Sequence, residues 1–139
     1  MSPQQAQDEA ACARLCVDFA NHIDARRYDA WLDLFTDDGV LDRMGTKVSG
    51  RAGLAEFLQA RPATIETRHL CTNVRVDVVS PDEANGFCYV LFFQGVAGAL
   101  GEPATASGAP SVVEYHDCYR RTPQGWRIQE RRIRMAMKS

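Results

Sequence analysis

The sequence predicts an α+β fold: a cone-shaped barrel in which three N-terminal helices pack on a strongly curved, mixed but mostly antiparallel sheet. Before Pro62, apolar residues recur at intervals of three and four, which is typical of amphipathic helices. From Thr67 onward, long β-branched and aromatic stretches follow one another with only short turns between them. A run of helices followed by a run of strands favours an α+β fold. Helices folded over a bent sheet leave a conical pocket between the two layers.

Length and composition indicate one globular domain spanning residues 1–139, with 45% hydrophobic and 24% charged residues. The formal net charge of −2 gives no general attraction to nucleic acid or to anionic membranes, so neither is expected as a partner. No apolar run is long enough to cross a bilayer, and the N-terminus lacks the basic and apolar regions of a secretory signal. We therefore expect a cytoplasmic protein.

Three helices are predicted in the N-terminal part of the chain. The first covers residues 3–26, where one apolar stripe is formed by Cys12, Leu15, Cys16, Phe19 and Ile23. The second covers residues 30–35 with Asp29 as its cap, and is followed by a turn at 36–39 and a short strand at 40–42. The third begins near Gly50 and ends before Pro62.

Four long strands are predicted in the rest of the chain, at residues 67–79, 84–94, 112–121 and 126–137. The strand at 84–94 is apolar on both faces, which is typical of a sheet covered on both sides. Because three helices cover only the concave side, we expect a homodimer joined through the convex face, with Tyr115 and Tyr119 contributing. The stretch from Gly95 to Pro110 is rich in small residues and is expected to be a mobile loop acting as a pocket lid.

Cysteines and arginines are interpreted as structural. The five cysteines show no C-x-x-C spacing, so reduced thiols are expected and no metal site is predicted. The arginines of the C-terminal hairpin, including Arg131, alternate in direction and have Glu130 and Asp117 available as partners. They predict an ion-paired surface rather than a nucleic-acid site.

The strand at 67–79 carries the strongest functional signal. Its alternation places His69 on the same side as Cys71 and Asn73, opposite a row of apolar and β-branched residues. A histidine on the face that lines a cavity can transfer a proton, because the imidazole pKa is close to neutral pH. Asn73 is interpreted as a residue that hydrogen-bonds locally.

Several segments resemble the nuclear-transport-factor-2-like superfamily, and in particular its SnoaL-like branch. The resemblance lies in the helix-turn-helix from Phe19 to Asp38, in Gly50-Arg51, in the stretch from Thr67 to Val76, and in Gly125-Trp126-Arg127-Ile128. The branch includes polyketide cyclases, scytalone-dehydratase-like lyases and the small subunits of ring-hydroxylating dioxygenases. The resemblance covers nearly the whole chain and implies the fold more specifically than the reaction.

The dehydratase-like pattern implies a pair formed by Asp24 at a helix end and His69 at the start of a strand, with His69 as general acid/base and Asp24 as its orienter. A second histidine of that pattern is replaced by Gln94. Expected substrate-binding residues are Phe19, Trp31, Leu91, Phe93 and Gln94. A cyclase-like pattern would use a later acid, for which Asp117 and His116 both remain open.

The expected function is therefore a cofactor-independent lyase, isomerase or cyclase that acts on a small apolar, aromatic or polyketide-like molecule. One alternative is a non-catalytic small subunit resembling those of ring-hydroxylating dioxygenases. Another is a ligand-binding or structural dimer without activity, in which Asp24 and His69 form only a structural ion pair.

Overall fold

The computed structural model describes residues 1–139 and contains three helices and seven strands. The helices are α1 (Pro3–Asp24), α2 (Tyr28–Leu32) and α3 (Gly50–Gln59). The strands are β1 (Phe35–Arg43), β2 (Thr46–Ser49), β3 (Ile65–Ser80), β4 (Glu83–Val96), β5 (Thr105–Ala106), β6 (Ser111–Thr122) and β7 (Gly125–Met137). The predicted α+β class, with helices packed on a curved mixed sheet, is confirmed.

All seven strands form one sheet in the order β2-β1-β7-β6-β4-β3, with the short β5 added beside β4. The pairing of β1 with β7 is parallel and every other pairing is antiparallel. Irregularities in register interrupt the long strands, and one of them falls at Asn73, whose φ is 55°. Such bulges increase the local twist and bend a strand, which allows this sheet to curve around α1.

Helix α1 fills the concave side of the sheet. It begins with a capping box formed by Ser2 and Gln5, and its buried face is the predicted stripe of Cys12, Leu15, Cys16, Phe19 and Ile23. Near its start, the Asp8 carboxylate accepts hydrogen bonds from the Trp126 indole at 3.0 Å and from Arg121 at 2.6 Å. The N-terminal half of the helix is thereby fixed to the β6–β7 hairpin.

The second helix is shorter than predicted. It ends at Leu32, and Phe35 already begins β1, whereas the sequence predicted a helix at 30–35 and a turn at 36–39. The backbone N–H of Ile128 donates to the carbonyl of Leu34 at 2.7 Å. From this point the backbone hydrogen-bonds to β7 instead of continuing the helix. The apolar spacing of Trp31, Leu34 and Phe35 fits both structures, and tertiary pairing decides between them. The short strand β2 was not predicted.

The stretch from Gly95 to Pro110 is more ordered than predicted. It contains β5, and Ser107 donates its backbone N–H to the Gln94 carbonyl at 2.8 Å while Ala97 donates to Thr64 at 2.7 Å. The stretch predicted as a mobile loop thus contains strand pairing at both ends, and its mobility stays a prediction. Its role as a lid stays a prediction.

The convex face of the sheet carries exposed apolar side chains that no part of the chain covers. Five apolar side chains on β3 and β4 form what we call the outer patch: Leu70, Tyr89 and Phe93 are exposed, and Phe87 and Leu91 are half-buried. Tyr115 and Tyr119 are not part of it. Both are buried on the concave side, because β6 turns its odd-numbered residues toward α1. No helix in the structure is long and apolar enough to cross a bilayer.

Candidate active site

A carboxylate and an imidazole meet where α1 ends and β3 begins. Helix α1 terminates at Asp24, and Arg26 follows with a left-handed φ of 59°, which turns the chain away. The guanidinium of Arg26 donates to the carbonyls of Pro62, Ala63 and Ile65, and so fixes the segment that leads into β3. Asp24 is thereby placed directly against the first inward-facing residues of β3.

Three hydrogen bonds converge on the Asp24 carboxylate. The Nδ1 of His69 lies 2.6 Å from Oδ1, the backbone N–H of His69 donates to Oδ2 at 2.8 Å, and the Thr67 hydroxyl donates to Oδ1 at 2.8 Å. A carboxylate only accepts, so the imidazole proton is on Nδ1. The side chains of Asp24 and His69 are each 11% exposed. Asp24 and His69 therefore form the predicted pair, and the contacts of the carboxylate with the ring and backbone of His69 and with Thr67 fix its geometry.

A second layer of contacts holds Thr67 in place. Arg61 donates to the Thr67 hydroxyl at 3.0 Å, to the Tyr28 hydroxyl at 2.9 Å and to the Ile23 carbonyl at 3.2 Å. Because the hydroxyl of Thr67 accepts from Arg61, its own proton is directed toward Asp24. The chain Arg61–Thr67–Asp24–His69 thus fixes the orientation of the imidazole.

The other edge of His69 faces a cavity of about 500 Å³ between the helices and the sheet. No protein group hydrogen-bonds Nε2, and the ring packs on Phe92 with a centroid distance of 4.9 Å. The cavity walls are mostly apolar, with side chains including Phe19, Ile23, Leu41, Phe57, Phe92, Val113, Ile133 and Met135. His69 therefore presents a free ring nitrogen to an apolar space large enough for a small organic molecule.

The cavity wall has few polar residues, and none of them is acidic. Besides His69 and Thr67, the wall contains Gln94, Tyr115 and two arginines, Arg43 and Arg61. Burial raises the pKa of Tyr115 well above its usual range, so its hydroxyl stays a neutral hydrogen-bond donor. A cavity with cations and neutral donors but no carboxylate in its wall favours neutral or anionic ligands and disfavours cations.

The floor beneath Tyr115 rests on a buried ion pair. Arg131 donates to both oxygens of Asp117 at 2.8 Å, and Tyr119 donates to the same carboxylate at 2.8 Å. The Arg131 guanidinium lies between the rings of Phe19 and Tyr115, 4.4 and 4.2 Å from their centroids. Arg131 is fully buried, so its assignment to a solvated surface was wrong, although Asp117 is the partner expected.

This ion pair also resolves the choice between Asp117 and His116. Asp117 points inward, but Arg131 and Tyr119 occupy its carboxylate and it does not line the cavity. His116 points outward and hydrogen-bonds Glu114 at 3.1 Å. Neither residue is placed to act on a molecule in the cavity.

Electrostatics favour an ionised Asp24. Burial raises the pKa of its carboxyl, but the hydrogen bonds and charge of His69 and the hydroxyl of Thr67 outweigh this, so the pKa lies below the ordinary value. An anionic Asp24 stabilises positive charge on the imidazole. The pair can accordingly accept a proton at Nε2 and return it.

The structure corrects three of the expected substrate-binding residues. Phe19 and Gln94 line the cavity, as predicted. Trp31 is fully buried behind the wall, 5.1 Å from Phe19 between ring centroids. Leu91 and Phe93 point to the convex face, because they alternate with Phe92 and Gln94 along β4. Phe93 and Gln94 cannot both face the same side of one strand.

The residues of the site that were not predicted include Arg61, Thr67, Phe92 and Tyr115. For two of these residues, Thr67 and Phe92, the alternation of side chains along a strand could have revealed their place in the site. Thr67 precedes His69 by two residues and so shares its face, and Phe92 likewise shares the face of Gln94. Arg61 lies in an irregular segment, and no spacing connects it with Thr67.

Comparisons with known proteins identify the family of the chain and structures that share its fold. The family model of the SnoaL-like domain matches residues 4–132. A search of curated protein sequences finds no significant match. Among solved structures, a Novosphingobium aromaticivorans protein assigned as a scytalone dehydratase superposes with a TM-score of 0.81 and 21% identity, over 99% of this chain and 89% of that one.

Two further solved structures show the same fold. One, a Novosphingobium aromaticivorans protein assigned as an aromatic ring hydroxylase, has a TM-score of 0.78 and 26% identity over 99% of this chain and 94% of that one. The hexachlorocyclohexane dehydrochlorinase LinA-type3 from Novosphingobium barchaimii LL02 has a TM-score of 0.74 and 22% identity over 97% of this chain and 86% of that one.

Replacement of Asp24 by Asn should change how stability depends on pH. The pKa of Asp24 is lowered on folding, so its ionised form stabilises the fold above the usual aspartate pKa of about 3.9, and this contribution is lost as pH falls through the lower folded-state pKa. The unfolding free energies of the wild type and of Asp24→Asn, measured with urea, should therefore converge below about pH 4.

The matched control is Asp33→Asn, which removes an exposed carboxylate paired with Arg51. It should leave the unfolding free energy nearly unchanged over the same range, since exposed pairs contribute little. A gap between wild type and Asp24→Asn that stays constant down to pH 3 would contradict an ionised, stabilising Asp24.

Proposed function

Because the chain belongs to the SnoaL-like domain family, we propose that it is a cofactor-independent lyase, isomerase or cyclase with His69 as its general acid/base. The observation that carries this proposal is the orientation of His69. Its Nδ1 is bound to Asp24 at 2.6 Å, and its opposite edge is open to an apolar cavity of about 500 Å³. A histidine that served only to neutralise Asp24 would not need an edge free toward a cavity.

The proposed chemistry is proton abstraction next to a carbonyl group, followed by loss of a β-hydroxyl group or by ring closure. In the elimination, Nε2 of His69 takes the α-proton and the electron pair of the broken C–H bond forms the new double bond. The imidazolium returns this proton to the β-hydroxyl group, which leaves as water. Asp24 stabilises the transient imidazolium. The neutral hydroxyl of Tyr115 is the donor available to polarise the carbonyl oxygen.

The proposed substrate is small, apolar, and aromatic or polyketide-like. The apolar wall formed by Phe19, Phe57 and Phe92 suits a flat ring system, and Gln94 adds one neutral polar contact. Arg43 lies at the cavity wall with its guanidinium 4.7 Å from the centroid of Phe57, and it suits an oxygen-rich or anionic edge of the substrate. The dehydratase and dehydrochlorinase assignments of the neighbouring structures support eliminations as the reaction class.

Removal of His69 should abolish proton transfer without loss of the fold. A panel of bicyclic aromatic β-hydroxy ketones is incubated with the protein in deuterated water, and proton NMR follows both α-proton exchange and elimination. His69→Ala should lower the rate by roughly a hundred- to ten-thousand-fold. Asp24→Asn should lower it less, because the imidazole remains in place.

The matched control is His22→Ala. His22 also lies near the C-terminal end of α1, but it hydrogen-bonds Arg27 on the surface and is absent from the cavity wall. Its removal should leave the rate unchanged. A His69→Ala protein that is folded and retains full activity would overturn the proposed role of His69.

A second candidate function is that of a small subunit attached to a larger iron-containing oxygenase chain. The likeness to a protein assigned as an aromatic ring hydroxylase, at 26% identity over 99% of this chain, favours it. Purification of the protein from the cells that naturally produce it distinguishes a subunit from a stand-alone enzyme. Co-purification with a larger iron–sulfur protein supports the subunit, whereas a chain that purifies alone supports the enzyme.

We also propose that two copies of the chain associate through the outer patch. Leu70, Tyr89 and Phe93 are 49%, 41% and 37% exposed in the isolated chain and lie side by side on β3 and β4. A contiguous apolar surface of this kind is uncommon on a monomer. A symmetric pairing of two sheets would cover it.

Tyr89→Asp should convert the dimer into a monomer, because it places a charge within the outer patch, next to Leu91 on the same face of β4. Sedimentation at micromolar concentration measures the change. Leu100→Asp is the control, because Leu100 is fully exposed in the loop and lies outside the patch. A wild-type protein that sediments as a monomer at this concentration would overturn the proposed dimer.

A further inference from the structure

Three cysteines that are distant in the sequence meet inside the fold. Cys16 comes from α1, Cys71 from β3 and Cys88 from β4, and their sulfur atoms all lie within 4.8 Å of one another. The sulfurs of Cys16 and Cys88 are 3.6 Å apart. No disulfide is formed. Spacing along the chain could not reveal this group, because each residue belongs to a different element.

This thiol cluster is separate from the candidate active site. Cys71 follows His69 by two residues and faces the same concave side, but none of the three cysteines lines the cavity. Cys16 and Cys88 are fully buried, while Cys71 is only partly buried. The cluster is therefore enclosed, and Cys71 is its least buried member.

Arg131 lies beside the cluster. It pairs with Asp117 through two hydrogen bonds. The Arg131 guanidinium also donates to the Cys16 carbonyl at 3.4 Å. A thiolate is the form that reacts with a metal or metalloid centre.

The number of ligands restricts which ion fits. No fourth histidine, cysteine or carboxylate belongs to the cluster. Structural zinc sites need four protein ligands. Sulfurs bound at about 2.3 Å to one centre stand roughly 3.5 to 4 Å apart, so a contraction of about 1 Å brings these three into range. The three cysteines therefore match a soft metal or metalloid that binds three ligands.

The net charge of the bound group further restricts which metal or metalloid fits. Three thiolates around a trivalent centre form a neutral group, whereas three thiolates around a monovalent or divalent ion leave a net negative charge. Burying a net charge in an apolar interior is costly. The nearby Arg131 does not offset such a charge, because Asp117 already pairs with it through two hydrogen bonds.

We propose that Cys16, Cys71 and Cys88 form a binding site for a trivalent metalloid, with arsenic(III) as the simplest example. Binding of arsenous acid breaks three As–O bonds and three S–H bonds. It forms three As–S bonds and releases three water molecules, with no change in oxidation state. The bound centre joins α1 to β3 and β4.

The test is titration of the reduced full-length protein with sodium arsenite under anaerobic conditions. We expect one arsenic per chain after gel filtration, three sulfur neighbours by X-ray absorption, and a higher melting temperature, because the ion binds only the folded cluster. Cys71→Ser should weaken binding by about a hundredfold, since it removes one of three linked ligands. Cys71 is only partly buried, so this variant should fold.

The matched controls are Cys12→Ala and Cys118→Ser. Cys12 is buried on the same helix as Cys16, Cys118 is exposed on β6, and neither belongs to the cluster. Both should bind arsenite as the wild type does. The proposal is overturned if the wild type retains no arsenic, if Cys71→Ser retains it equally well, or if the bound arsenic has only two sulfur neighbours. Tighter retention of zinc than of arsenic would also overturn it.

Discussion

The interaction on which the site depends is the set of hydrogen bonds to the Asp24 carboxylate. An anion at the C-terminal end of a helix is unfavourable, because the helix dipole is negative there. Asp24 is nevertheless held ionised by the Thr67 hydroxyl and by the backbone and ring of His69. These contacts join the end of α1 to the start of β3 and fix the imidazole in the same step. The geometry that stabilises the helix end is thus the geometry that orients the proposed acid/base.

A buried ion pair lies on the concave side of the sheet, in contact with two residues of the cavity wall. Arg131 is paired with Asp117 and packs against the rings of Phe19 and Tyr115. Phe19 and Tyr115 line the cavity, and Arg131 also contacts the carbonyl of Cys16, one of the three clustered cysteines. Removal of either partner of a buried pair leaves an uncompensated charge, which is strongly destabilising. The ion pair is therefore a support of the fold that also shapes the cavity floor.

Much of the fold could be predicted from the sequence, and the pair Asp24–His69 could be predicted from the family resemblance. Periodicity located α1 and the four long strands, because a helix stripe and an alternating strand are local signals. It failed at Phe35, where pairing with β7 overrides the apolar spacing of a helix. It also failed for Leu91 and Phe93, since a strand that is apolar on both faces gives no indication of which face is inside. Arg61 and the thiol cluster depend on contacts between distant segments, which no local pattern encodes.

The most direct test of the account is the tautomer of His69, observed by nitrogen NMR on isotope-labelled protein at a pH where the imidazole is neutral. The bond of Nδ1 to Asp24 requires the proton on Nδ1, which leaves Nε2 as the free base facing the cavity. The account predicts the Nδ1–H form in the wild type and a mixture of both tautomers in Asp24→Asn. An Nε2–H form in the wild type would contradict it, because the cavity would then face a proton donor rather than a base.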